Sequence, residues 1–217
     1  IDIWMTTTAM VKKCKVCQAH LGVKIHDEKD PAESLGPMFR QVVTTLFSLM
    51  EQNYEIWKEI KRSQPVAIIG TEPNVEPEPF EVSVEKLLED FQLGINHFGP
   101  LWESIFGPRK FAELKKFASV TDAPDLHMPM DFWVELLYDC AITFHRWRKD
   151  KYKLVQTVTP IYFARVASFV NEVRELSNAD AERLIEKQAA RTEESKPYLL
   201  EHWEERPVQK QTALSAM

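Results

Sequence analysis

The stretch SVEKLLEDFQLGINHFGPLWESIF, residues 83–106, decides the fold class of this chain. Ser83 stands where a helix N-cap belongs, because its hydroxyl can accept from an amide of the first turn. Behind it, Val84, Leu87, Leu88, Phe91, Ile95, Phe98, Trp102, Ile105 and Phe106 recur at three- and four-residue intervals. That spacing puts them on one face of a helix, whereas a half-buried strand would need strict alternation. Pro100 predicts a kink or split, since proline lacks an N–H and its ring meets the carbonyl four residues back. Gly107-Pro108 predicts a break, with a short helix around 111–118 beyond it.

The same period recurs on both sides. Phe39, Val42, Val43, Leu46, Met50, Tyr54, Trp57 and Ile60 form one apolar stripe, which predicts a long helix opening at Gly36-Pro37 and reaching Arg62. FWVELLYDCAITFHRW, within 130–147, is apolar on several sides and is expected at the centre of a helix bundle. Residues 151–176 predict a further helix, kinked near Pro160. Ser177 with Asp180 predicts a capping box that opens a last helix toward Glu205, interrupted at Pro197.

Strand signal is confined to the first 30 residues. Cys17, Ala19 and Leu21 alternate with Gln18 and His20, and Val23 and Ile25 alternate with Lys24 and His26. Gly22 between them reads as a bend or bulge. IDIWMTTTAMVKK reads as a short helix, weak because of its three threonines, with Asp2 at its N-terminus. Its abrupt opening reads as a cut inside a larger protein. Four prolines and repeated glutamates make residues 63–82 a linker. The expected division is therefore an N-terminal part over 1–62, the linker, a helical domain over 83–205 and a frayed tail over 206–217.

Composition narrows the function. Hydrophobic residues make up 44% and charged residues 28%, an ordinary globular balance. A net charge of −6 gives no basic field for a phosphate backbone, so no nucleic-acid partner is expected. No apolar run approaches the roughly 20 residues of a membrane span. Three cysteines, an odd and low count, fit a reducing compartment and a cytoplasmic location. The chain has no GxGxxG, no GxxxxGK[ST] and no apolar strand running into a DxD pair.

Few residues suggest chemistry. His26 ends the strand pattern just before Asp27, Glu28, Lys29 and Asp30. Neutral imidazole suits Mn²⁺ and is tolerated by Mg²⁺ beside oxygen donors, so His26 is a candidate ligand. By pattern alone it is a surface residue before a solvated connection. Asp2 by pattern alone is a helix cap; functionally, its carboxylate could accept from a sugar hydroxyl or act as a base. Cys14 and Cys17 match C-x-x-C, but a zinc site needs two more ligands and only His20 is near. Strand geometry would send the two to opposite faces, so they are expected to be ordinary half-buried cysteines. Cys140 and His145 are expected in the core or at its rim.

Taken in order, Ile1-Asp2, then Lys24-Ile25-His26, then the polar loop, then Met38-Phe39 resembles the C-terminal part of the catalytic domain of GT-A-type nucleotide-sugar glycosyltransferases. The likeness is to the mannosylglycerate and glucosylglycerate synthase group, and LLYDCAITFHRW and TPIYFARVASFVNEV resemble the helical C-terminal region of those proteins. The resemblance implies a mainly α chain: a short helix and β-strand remnant of a GT-A (α/β) catalytic domain, followed by an all-α bundle. It implies sugar transfer from a nucleotide-diphosphate donor to a small hydroxyl acceptor of glycerate type. It implies that His26 completes the coordination of a divalent cation, Mn²⁺ or Mg²⁺, on the donor's pyrophosphate. Asp2 would be catalytic and would contact the transferred sugar or the acceptor, and Met38 would lie near that pocket. Relatives carry a basic residue after the histidine; here Asp27 stands there, which leaves Lys29 as the substitute phosphate contact. The nucleotide-binding half with its DxD site is not in these residues, so the isolated chain is expected to be inactive and to hold no cation tightly. The apolar edge that half would cover favours a homo-oligomer. The alternative expectation is a stand-alone helical interaction or oligomerisation module without catalysis.

Overall fold

The computed structural model describes residues 2–22, 31–71 and 81–204. The chain is mainly α-helical, as the apolar periods predict. Helix α1 spans Asp2–Val11 and is followed by the two-residue strand β1 (Gln18–Ala19). Next come α2 (Pro31–Gln52), the single turn α3 (Tyr54–Trp57) and strand β2 (Ile68–Ile69). The C-terminal part holds α4 (Val84–Ala118), a 3₁₀ turn at Ala123–Asp125, α5 (Met130–Arg146), α6 (Lys151–Val173), α7 (Asn178–Glu194) and α8 (Lys196–Glu204).

Local chemistry sets three of the helix starts. Ser83 accepts from the Lys86 amide at 3.3 Å, Asp150 from the Tyr152 and Lys153 amides, and Ser177 from the Asp180 amide. Four boundaries differ from the sequence-based expectation. Pro100 lies within helical backbone, and the departure in α4 is at Gly107, whose φ of +78° suits a residue without Cβ. Helix α2 starts at Pro31, ahead of Gly36, and stops at Gln52 instead of reaching Arg62. There Asn53 leaves helical backbone at φ −121° and ψ +24°, while its side-chain amide and its backbone N–H both donate to the Leu49 carbonyl, at 2.8 and 3.0 Å. Pro197 falls in the first turn of α8, where its missing N–H costs nothing, and the interruption is at Ser195.

The strand expectation is also revised. Of the segment 14–22, two residues form a strand, and their partner lies in the expected linker: Gln18 and Ala19 pair in parallel with Ile68 and Ile69. Residues 63–82 are thus not all loop. Val23 to His26 lie outside the described residues. Gly22 has φ +105°, a backbone conformation that suits a residue without Cβ.

The core is built around the crossing of α4 and α6. Phe91, Trp102 and Leu114 from α4 and Ala164 and Ala167 from α6 are fully buried. Helix α5 adds Val134, Leu136 and Phe144, α2 adds Phe39, Val43 and Phe47, and α8 adds Leu199 and Trp203. Close approach at the crossing depends on Gly94: a Cβ there would lie 2.5 Å from Pro160 Cβ and 2.8 Å from the Trp102 ring. Helix α6 runs through Pro160, and Trp102 Nε1 donates to the Thr157 carbonyl one turn earlier at 3.0 Å. Two members of the expected α2 stripe, Val42 and Ile60, are exposed. No described helix is long and apolar enough to cross a membrane.

Candidate functional site

Helix α1 has no buried residue and packs across α2. That placement brings Asp2 and Ile3 beside Gln41, Val42, Thr44 and Thr45 of α2 and Tyr152 from the first turn of α6. Together they line an open groove of about 560 Å³. Asp2 is exposed, and its carboxylate makes no hydrogen bond or ion pair among the described residues. Thr45 Oγ1 donates to the Gln41 carbonyl at 2.8 Å, which leaves its lone pairs toward solvent. Among the described residues the groove offers hydrogen-bond acceptors, an amide and an exposed aromatic ring, but no nucleophile activated by a base.

Of the residues expected at a site, Asp2 is in this groove. Met38 lies one turn before Gln41 and Val42 on the same side of α2, half-exposed, and does not line the groove. His26 and Lys29 lie outside the described residues. Among the described residues, no group of three or more histidine, cysteine, aspartate or glutamate side chains is placed to hold a metal. Sequence reasoning missed Gln41, Thr44, Thr45 and Tyr152. The polar positions of Gln41, Thr44 and Thr45 beside the α2 stripe were visible, but nothing local says that α1 and Tyr152 of α6 meet them there.

The cysteine expectation needs correction. Cys14 and Cys17 are free and exposed, not half-buried. Cys140 is enclosed at the core's edge, and burial pushes its thiol up, with Asp139 adding to the effect. His145 is at the rim, as expected: its ring stacks on Trp203 with centroids 4.4 Å apart, and Nδ1 lies 3.3 Å from Glu51.

A second polar cluster sits inside the bundle. Asp139 of α5 accepts from Lys110 Nζ of α4 at 2.6 Å and from Tyr198 Oη of α8 at 2.6 Å. Lys110 also reaches Glu135 at 3.3 Å. Burial pushes the Asp139 carboxyl up against the opposing pull of Lys110 and Tyr198. Each member has a partner, so the cluster acts as a clamp between three helices. Burial raises Tyr198 to about 12, with the Asp139 carboxylate contributing, and raises Tyr138 to about 12, with Glu193 contributing. In the unfolded chain a tyrosine loses its proton near pH 10. Between pH 10 and 12 the folded state therefore binds more protons, so stability is full below that window and falls as pH rises through it. The denaturant midpoint is expected to drop between about pH 9 and about pH 11, and to drop less in a Tyr138→Phe/Tyr198→Phe variant. Equal midpoints at the two pH values would contradict this.

No protein family, curated protein or solved structure matches the chain.

Proposed function

We propose that this chain is the C-terminal, acceptor-side portion of a cytoplasmic, metal-dependent GT-A-type glycosyltransferase, which moves a sugar from a nucleotide-diphosphate donor to a small hydroxyl acceptor. The observation that carries this reading is where the exposed apolar surface lies. Of the fifteen exposed large apolar residues among those described, eleven fall before α4: Trp4, Met5 and Met10 of α1, Leu21, Met38, Val42, Ile56, Ile60, Val66 and both residues of β2; Leu93, Tyr152, Leu176 and Ile185 lie within or after it. The two strands pair in parallel with both residues of each exposed. Parallel strands in folded domains are covered on both faces, and a two-stranded pair is not stable by itself. Such a surface fits the edge of an α/β domain whose remaining strands lie elsewhere in the protein.

In this reading the nucleotide-binding half brings a DxD pair to the cation and His26 completes the ligand set. A divalent cation held there would supply charge neutralisation for the departing diphosphate. Lys29 contacts phosphate from the loop after His26. Asp2 accepts a hydroxyl hydrogen bond from sugar or acceptor, and Met38 borders that pocket. The chemistry of imidazole and carboxylate suits Mn²⁺ or Mg²⁺. Three thiols, two of them free and exposed, suit a reducing compartment.

The same exposed surface also favours the reading as a helical self-association module, with a second copy as the cover. The upstream coding sequence separates the two: an α/β segment with an apolar strand entering DxD supports the enzyme. The chain expressed with that segment is expected to hydrolyse donor and transfer sugar with Mn²⁺, and His26→Ala is expected to reduce both rates. Undiminished turnover in His26→Ala removes the ligand assignment. A stable dimer of the 217-residue chain, with no such upstream segment, supports the module instead.

A further inference from the structure

We infer that α8 is a clasp: it holds residues 54–63, and through them the β1–β2 pair, onto the bundle, and lifting it loosens that N-terminal edge while α4–α6 stay folded. Its nine residues reach in two directions. Toward α3, Lys196 Nζ donates to the carbonyls of Trp57 and Ile60 and lies 3.3 Å from that of Lys58. Those carbonyls stand at the C-terminal end of a single helical turn, where acceptors lack intrahelical donors and a cation is favoured. The same ammonium lies 5.5 Å from the centre of the Trp57 ring. The Trp203 ring is 4% exposed; it packs edge-on to Trp57 at 5.4 Å and parallel to Tyr54 at 6.0 Å, and Tyr54 Oη donates to Glu204. Toward the bundle, Trp203 stacks on His145, Tyr198 Oη donates to Asp139, and the His202 carbonyl accepts from Arg146.

Among the described residues, the hydrogen bonds that tie residues 54–63 to elements other than α2 all go to residues 193–204. Glu193, near the end of α7, accepts from the Ser63 amide at 2.7 Å. From Ser63 the chain reaches Ala67 in four residue steps, at most about 14 Å, with φ fixed at Pro65 between them. The Ala67 carbonyl accepts from the Gln18 amide at 2.9 Å, and the Ile69 carbonyl from the His20 amide at 2.9 Å. A pair with two residues in each strand is not stable by itself, so it depends on what anchors its ends. One anchor is α1 packed on α2; the other is the clasped segment. The break before α8 supplies a hinge. Ser195 closes α7 on the Arg191 carbonyl at 3.1 Å, and Pro197 has no N–H with which to tie α8 back to it. Units of this size open at free energies below that of global unfolding. The inference stands apart from the transferase reading; within that reading, β1 is the base from which the chain runs on toward His26.

Amide relaxation on the isotopically labelled 217-residue chain tests this, with backbone order parameters as the readout. In the native chain the amides of Gln18, His20 and Ile69 are expected near about 0.85, the value of rigid backbone. Trp203→Ala removes the ring shared by Tyr54, Trp57 and His145. It is expected to bring the amides of residues 18–20, 56–60 and 67–69 below about 0.6, with those of α4–α6 still near about 0.85. Lys196→Met keeps most of the apolar stem and removes the donor, so it is the milder change. It is expected to lower the same amides by at least about 0.1 and to leave α4–α6 unchanged. Lys196→Met decides the matter if Trp203→Ala does not fold. Strand amides already below about 0.6 in the native chain, native values at residues 18–20 and 67–69 in either variant, or a loss of order in α4–α6 equal to that in the strands would overturn the assignment.

Discussion

Truncation of Trp102 to alanine is expected to destabilise the chain by about 3–5 kcal/mol, the range for large buried aromatics. Trp102 has no exposed surface and is the largest of the fully buried side chains. Its ring packs on Phe91 and Phe98 and against the place where Gly94 meets Pro160. Removing it empties space at the α4–α6 crossing, where the surrounding backbone is already too close to collapse further without moving a helix. It also removes the Nε1–H that satisfies the Thr157 carbonyl at 3.0 Å. Loss of that hydrogen bond adds about 0.5–1.5 kcal/mol. Trp102→Phe keeps most of the fill and loses the hydrogen bond, so it is expected to be intermediate. Urea unfolding reads both, through a lower midpoint at an unchanged slope. A loss below about 1 kcal/mol for the alanine variant would show that this crossing does not organise the bundle.

Arg165→Met is expected to cost about 3 kcal/mol, with a chemical cause in place of a packing one. The Arg165 side chain is buried on α6. Its Nη1 donates to Glu172 Oε1 at 2.6 Å and to the Met128 carbonyl at 3.2 Å, while Nη2 reaches Glu172 Oε2 at 3.3 Å and Gln188 Oε1 at 2.9 Å. One guanidinium thus ties the loop before α5 and helix α7 to α6. Methionine fills similar space but leaves the Glu172 carboxylate with Ser168 Oγ at 3.0 Å as its remaining hydrogen-bond partner there. The charge is then uncompensated in a site about one quarter exposed, which moderates the penalty from the fully buried case. Lysine cannot reproduce the fork and is expected to recover less than half. Arg165→Met combined with Glu172→Leu is expected to regain most of the loss, because both charges are then gone. A double-mutant cycle measures that coupling, and simple additivity of the two single changes would refute it.

The helices were legible because each is specified by nearby residues. Spacing in 83–106 gave the buried face of α4, and Ser83 and Ser177 gave the starts of α4 and α7. Boundaries went astray where the backbone departs from the pattern. Helix α2 stops short of Arg62 where Asn53 leaves helical backbone, and of the two breaks expected in α4 the one at Gly107 is present while Pro100 stays helical. The α2 stripe shows the limit of periodicity most plainly. Val42 has the spacing of Val43 and Phe47, yet it is exposed on the groove while they are buried. Spacing assigns a residue to a face, and only the arrival of another element decides whether that face is covered.

The candidate site was legible in a single residue. Asp2 could be named from its place at a helix start, but its neighbours come from α2 and α6, far away in the chain. The β1–β2 pairing has the same character: Gln18 and Ala19 alternate locally, whereas Ile68 and Ile69 carry no signal for which strand they join. By itself, then, the sequence determined a mainly α chain, the buried faces of its longer helices and the absence of a basic or membrane-spanning segment among the described residues. Tertiary structure alone decided that Asp2 shares a groove with Thr45 and Tyr152, and that Val42 and the residues of β2 face outward while Phe39, Val43 and Phe47 are covered. The physical reason is range. Caps and periods act over four residues or fewer, while burial and site geometry follow from which distant faces meet.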